Sequence, residues 1–305
     1  MRPRRGAGRG RLTRVDRPAD PSIVFVHAHP DDEAIFTGGT MRLLASAGHR
    51  IVLVVATGGE LGLVPAGLDE VRRRRPGGVR ERPAAVEPPG PAVARGGPGP
   101  PAPDPLAAHR TAETDAAARL LGVGRVRWLG YRDSGMAGDP ANRAPGSFWA
   151  ADDGEAADRL ARILRAEAAA AVVVYDATGI YGHPDHVKVH RIGRRAATAA
   201  GVSTVYDVTV DREYLHFVET HLVEEAILAG DLGLVRSHIG LPSVEIDATV
   251  DVRTVLDVKR AAMAAHASQI PESTSALRLP THHFADVYGW EWYVRTGPVG
   301  PIDAL

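Results

Sequence analysis

The 305-residue chain has no cysteine. Disulfides, thiolate metal sites and cysteine nucleophiles are therefore excluded, and any metal must be held by His, Asp or Glu. Long apolar runs are also missing, since no stretch reaches the ~18–20 residues that span a bilayer. Neither sign of charge prevails: 36 Lys plus Arg face 37 Asp plus Glu, so no global field points to nucleic acid or to an anionic membrane. The opening "MRPRRGAGRGRLTR" is basic but lacks the apolar core of a secretory signal. Residues 1–20 read as a disordered basic arm or an over-long start, and the expected location is cytoplasmic.

What is present is a 44% hydrophobic composition, enough for a substantial core. Short apolar runs recur at Ile23–Val26, Ile51–Ala56, Val126–Leu129, Ala171–Tyr175 and Thr204–Val210. Helical patterns fall between them, at about Ile35–Ala47, Thr111–Leu121, Ala156–Ala168 and Val187–Ala199, and Gly48, Gly122 and Gly201 follow where a left-handed C-terminal residue is wanted. Fully apolar strands alternating with helices predict an α/β, Rossmann-like fold: a mostly parallel sheet with helices on both faces. Ligands in such folds bind outside the carboxyl ends of the strands, so the active site is expected there. Farther on, Val250–Ser268 reads as a helix and "FADVYGWEWYV" (284–294) as an aromatic closing strand.

One stretch breaks the alternation. Residues 65–106 carry eleven of the 23 prolines, with Arg and Gly in excess. Such a composition cannot bury a core, so it reads as a disordered insertion in a single domain over 21–305. A local shift of reading frame is the rival explanation, because shifted GC-rich codons encode Arg, Gly and Pro. The arginine run 72–75 reads as solvated charge.

The first apolar strand is followed by "HAHPDDEAIFTGGT" (27–40), and the fourth by "DATGIYGHPDHVKVH" (176–190). Each turn has a structural reading, with proline in the first helical turn and acids near the positive end of the helix dipole. Two such turns after parallel-type strands also have a chemical one. Together they offer His29 and Asp32 from one turn and His186 from the other, three ligands with a fourth position open, as in catalytic zinc sites. The same set suits iron(II), so ligand type alone does not choose the metal. Asp31 remains as a carboxylate able to take a proton from water. His183 is a spare imidazole opposite, with Asp185 nearby to hold it charged and oriented, and Tyr181 is a phenolic donor at the rim. These are the parts needed to hydrolyse an amide.

"AHPDDE" followed far downstream by "HPDH" resembles the LmbE-like (PIG-L-type) family of zinc-dependent de-N-acetylases, which act on N-acetylglucosamine-containing compounds. The resemblance covers roughly residues 22–201. "HRTAETDAAARLLGVGRVRWLGYRDSGM" (109–136) and "KRAAMAAHASQI" (259–270) are similar to stretches of actinobacterial members in mycothiol metabolism. It implies His29, Asp32 and His186 as zinc ligands, Asp31 as general base, and His183 as general acid with Asp185 behind it. It further implies Tyr181 as oxyanion donor and Arg110 as a sugar-contacting residue. The segment 65–106 departs from the family where relatives carry structure at the active-site rim.

The expected partner is a small amino-sugar, with no nucleic acid or membrane; the oligomeric state stays open. Within the family, hydrolysis of a cysteinyl amide in a mycothiol S-conjugate is the nearest alternative. From other classes, a metal-retaining sugar-binding protein without turnover remains, and a phospho-receiver would leave "HPDH" idle. His216, His221, His238, His282 and His283 lie outside both motifs and read as ordinary surface or core residues. Trp290, Trp292 and Tyr293 read as strand packing, and Gly38 with Gly39 lacks the rest of a dinucleotide fingerprint.

Overall fold

The computed structural model describes residues 21–63, 104–218 and 239–305. Seven strands form one sheet in the order β3-β2-β1-β4-β5-β7-β6. They are β1 Ser22–His27, β2 Arg50–Thr57, β3 Arg125–Tyr131, β4 Ala169–Tyr175, β5 Thr204–Thr209, β6 Ala248–Asp251 and β7 Trp290–Thr296. Strands β1 to β5 pair in parallel, whereas β7 runs antiparallel to both β5 and β6. Every residue of β1 and β5 is buried, as expected for strands covered on both faces.

Besides a kinked single turn at Gly179–Gly182, the helices are α1 Asp32–Phe36, α2 Gly38–Ser46, α3 Pro105–Leu121, α4 Asp153–Ala166, α5 Pro184–Ala200, α6 Arg212–Phe217, α7 Leu256–Ala265, α8 Ser275–Arg278 and α9 Thr281–Tyr288. Helices α4 and α5 pack together as one layer, and α2, α3 and α7 as another. Gly48, Gly122 and Gly201 all have positive φ just after α2, α3 and α5, as the sequence predicted. Among the described residues no helix is long and apolar enough to cross a membrane.

The chain winds outward from β1 through β2 to β3, then returns to place β4 on the other side of β1. The crevice between β1 and β4 is therefore the point where strand order reverses, and the two His-Pro-Asp turns follow these very strands.

Three expected elements differ. The helix expected over 35–47 is split at Thr37, whose φ of −138° interrupts the spiral between α1 and α2. Val250–Ser268 is not one helix: β6 comes first, with Val250 and Val252 buried and Thr249 and Asp251 exposed, a period-2 pattern too short to stand out. The closing strand is shorter than read, because Phe284–Tyr288 belong to α9, where Phe284 and Tyr288 stack at i,i+4 with ring centroids 4.8 Å apart. Of the segment expected to be disordered, residues 104–106 begin α3, with the Asp104 carboxylate accepting the Leu106 N–H; its remainder, residues 1–20, His221 and His238 lie outside the described residues.

The C-terminal third is fastened to the motif region by buried charge. The chain's two lysines, Lys188 and Lys259, are both about 1% exposed. Lys259 on α7 donates to Glu291 on β7 at 2.7 Å, and Glu291 accepts the Gly39 and Thr40 N–H groups at 2.8 Å each. Gly39 fits there because a Cβ would lie 2.3 Å from Cβ of Val252. Removing one member of a buried pair leaves the other charge unsatisfied, at a cost of about 3–5 kcal/mol. Glu291→Ala should lower unfolding free energy by that order in urea titrations; a loss under about 1 kcal/mol would show that water replaces the carboxylate.

Candidate active site

Asp32 lies at the centre. Its Oδ2 accepts the His29 N–H and the Tyr175 O–H, each at 2.9 Å, and lies 3.3 Å from both His29 Nδ1 and His186 Nε2. Burial alone would raise its pKa, but the two imidazoles outweigh that and hold the carboxyl well below its ordinary range. The Tyr175 ring stacks on His186 at 4.1 Å between centroids, so one β4 residue orients both the carboxylate and the imidazole. His27, at the end of β1, completes this floor by joining Tyr175 and Thr37 through its two ring nitrogens.

His29 sits among carboxylates. Its Nε2 is 3.3 Å from Asp185 Oδ2 and 3.6 Å from Asp133 Oδ1. Burial opposes its charge, yet Asp133, Asp185 and Asp32 together raise its pKa well above the usual value. The charged ring donates Nε2–H to Asp185 and faces Asp32 through Nδ1–H; a metal ion would take the place of the Nδ1 proton while Asp185 kept Nε2–H, the arrangement by which a carboxylate orients a metal-ligating histidine. Asp185 is thus placed differently from expectation. Its carboxylate serves His29 and the Ser134 N–H (3.0 Å), and only its backbone N–H reaches His183, at Nδ1 (3.2 Å). Because His183 accepts at Nδ1, its neutral ring carries the proton on Nε2. Burial, then the neighbouring His29 and His186, push the His183 pKa down to about 4.

Asp31 stands beside this group in a strained backbone, with φ 107°. A non-glycine residue there costs on the order of 1–3 kcal/mol and persists only where its surroundings impose it. The surroundings are visible. Glu33 Oε2 accepts the Asp31 N–H at 3.0 Å, and Glu33 Oε1 is held at 2.6 Å by His266 from the end of α7. Burial pushes the Asp31 carboxyl up to about 6, against the opposing pull of Arg110.

Arg110 also departs from the sequence reading. It is 3% exposed, and its guanidinium donates to Gly59 O at 2.7 Å, to Asp31 Oδ2 at 3.1 Å and to Pro30 O. It steadies the Asp31 turn and does not open towards a sugar. Tyr181 follows Ile180, a β-branched residue at φ 65°, and its hydroxyl lies 3.4 Å from His186 Nε2. Burial raises its pKa further, so the phenol stays a donor.

The structure therefore brings together His29, Asp31, Asp32, Tyr181, His183, Asp185 and His186. Donor atoms of His29, His183 and His186 lie within 4.8 Å of one another, as do those of His29, Asp133 and Asp185, so the cluster can hold a metal ion. Sequence reasoning gave no role to Asp133, Tyr175, Glu33 or His266. Asp133 and His266 lay inside the quoted stretches 109–136 and 259–270, but nothing local marked out either residue.

Residues 24–197 match the sequence profile of the PIG-L family, described as GlcNAc-PI de-N-acetylase. The chain belongs to this family. It is an enzyme of the amide-hydrolysing, deacetylase class. It is 34% identical over 302 residues to a 1D-myo-inositol 2-acetamido-2-deoxy-alpha-D-glucopyranoside deacetylase of Salinispora arenicola, covering 95% of this chain and 90% of that one. A protein of the same name from Acidothermus cellulolyticus is 36% identical over 291 residues, covering 90% and 88%. The fold is similar to that of N,N'-diacetylchitobiose deacetylase from Pyrococcus horikoshii, with a TM-score of 0.54 at 22% identity over 91% of this chain and 84% of that one.

Two measurements follow from this geometry. Asp185→Asn should weaken divalent-metal affinity roughly 10- to 100-fold, as loss of a histidine's orienting carboxylate does; unchanged affinity in a metal titration would remove Asp185 from that role. Arg110→Ala should lower kcat roughly 10- to 100-fold, the worth of a hydrogen bond to a charged group. A rise in KM alone would return Arg110 to substrate contact.

Proposed function

We propose that the chain is a zinc-dependent hydrolase that removes the N-acetyl group from an N-acetylglucosamine-containing small molecule, acting in the cytoplasm as one domain over residues 21–305. The observation that carries the reading is the meeting of two imidazole nitrogens at 3.3 Å from a single Asp32 oxygen, with Asp31, Tyr181 and His183 around them. Over the sets His29, His183, His186 and His29, Asp133, Asp185, we favour His29, Asp32 and His186, whose nitrogens meet at Asp32 Oδ2. The His183 Nδ1 accepts a backbone N–H, and Asp185 Oδ2 is shared by His29 and the Ser134 N–H, so we assign both residues supporting roles. The chosen donors fit zinc, and iron(II) by ligand type.

Zinc bound there would supply Lewis acidity, activating water and polarising the amide carbonyl. The residues supply the rest. Asp31, held by Arg110 and by the Glu33–His266 pair, takes the proton from the attacking water. Tyr181 donates a hydrogen bond to the oxygen on which negative charge develops. His183 gives its Nε2 proton to the departing amine as the proton taken by Asp31 returns to the ring, so the imidazole ends neutral. The similarity to deacetylases of an inositol glucosaminide supports a substrate of that class.

Purified protein should bind about one divalent ion, and His29→Ala/His186→Ala should lose it. Asp31→Asn should keep the metal while kcat falls ~10²–10⁴-fold, the usual worth of an acid–base group. Primary amine released from the N-acetylglucosaminyl inositol, and not from a cysteinyl-amide conjugate of the same pseudo-disaccharide, would support the deacetylase. The reverse would favour the conjugate amidase, and metal binding without amine from either would leave a sugar-binding protein.

A further inference from the structure

A cavity of about 500 Å³ opens beside the reacting groups, with Asp31, Asp32 and Tyr181 in its wall. Beyond them it is lined by Phe36, Tyr214, Trp290 and Trp292, with Val210 and Leu215 between. His183, Asp133 and Arg110 are not among its walls. We propose that this cavity is an acyl pocket, and that the enzyme hydrolyses amino-sugar amides bearing apolar acyl groups longer than acetyl. The proposal rests on the amide-hydrolase reading and adds the acyl specificity.

The direction of the reaction decides which side the acyl group takes. In amide hydrolysis the C–N bond breaks, the water oxygen joins the acyl carbon, and both water hydrogens end on the nitrogen. A carboxylate and an ammonium ion result. The amine must face the acid that protonates it, so the amino-sugar lies on the His183 side. The acyl substituent leaves the carbonyl carbon in the other direction, past Asp31, Asp32 and Tyr181 into the cavity they border.

Size and chemistry then define the occupant. The volume falls in the range of small-ligand pockets, roughly 300–1,000 Å³, far more than a methyl group fills. The charged groups in the far wall are already satisfied: Lys259 and Glu291 pair at 2.7 Å, and Glu291 also takes the Gly39 and Thr40 N–H groups. They offer a ligand no free charge. Tyr214 and Trp292 approach to 5.4 Å between ring centroids, giving a wall suited to an alkyl chain or an aryl ring. Sequence reasoning treated Trp290 and Trp292 as strand packing. Both do belong to β7 or its start, but they also face this space.

The test is a series of N-acetyl, N-butyryl, N-hexanoyl and N-phenylacetyl derivatives of one glucosaminyl inositol, followed by amine release. Each methylene taken from water is worth roughly fourfold. The value of kcat/KM should therefore rise at least about tenfold from acetyl to hexanoyl, and hexanoate should bind tighter than acetate in calorimetry. Leu215→Trp, and independently Val210→Phe, should each reduce the hexanoyl-to-acetyl ratio of kcat/KM about tenfold or more. Acetyl hydrolysis accompanied by rejection of every longer acyl group overturns the acyl pocket and leaves the deacetylase standing. No amine from any member, with metal bound, overturns the hydrolase reading and this inference with it.

Discussion

Ionised groups taken out of water must find partners, and around Asp32 the protein concentrates that requirement. Desolvating an ion costs several kcal/mol even after relaxation. Yet Asp32, Glu33, Asp133 and Asp185 are all under 9% exposed within one crevice. Each has a partner in the crevice: Asp32 faces two imidazoles and the Tyr175 hydroxyl, Asp133 and Asp185 share the His29 ring, and Glu33 pairs with His266. None of these partners could move without stranding a charge. That constraint fixes the ring planes and leaves the donor atoms aimed at one small volume.

The constraint reaches well beyond the motifs. His266 comes from the C-terminal end of α7 and Glu291 from β7, and each secures part of the segment that follows β1. Through Glu33, the His266 contact bears on the backbone of Asp31, whose positive φ would not survive in a free loop. The same helix carries Lys259, the counter-charge for Glu291. One element thus supports both the strained residue and the start of α2, so the C-terminal third is part of the frame of the reacting centre.

This explains what could be read beforehand. Four of the five parallel strands were legible because strands covered on both faces are continuous apolar runs, and the edge strand β3 through its buried Val126, Trp128 and Leu129. The meeting of the two motifs was legible too, since strand-tip turns in such a sheet share an edge and a switch point lies there. What failed depended on side-chain direction or distant pairing. Spacing places Asp185 near His183, but the first turn of α5 sends its carboxylate to His29. Arg110 follows from no local pattern, because its partners at Pro30, Asp31 and Gly59 are brought up by other strand tips. In the last third, aromatic residues resembled a strand until Pro280 and the i,i+4 ring pair fixed a helix.

The sheet divides the labour accordingly. The turns after β1 and β4 contribute the acid–base and donor groups, whose geometry tolerates little change because each buried charge depends on the next. The cavity beside them is walled in part by residues after β5, on α6 and at the start of β7, where packing is apolar apart from the Lys259–Glu291 pair. Apolar walls can alter volume through single substitutions at costs of about 1–3 kcal/mol, whereas an unpaired charge in the crevice would cost more. Divergence in what such a chain accepts is therefore expected in its C-terminal third, on surfaces that touch the substrate without holding the reacting groups. The placement of Lys259 and Glu291 sets the limit, because their ion pair closes the cavity on one side and anchors α2 on the other.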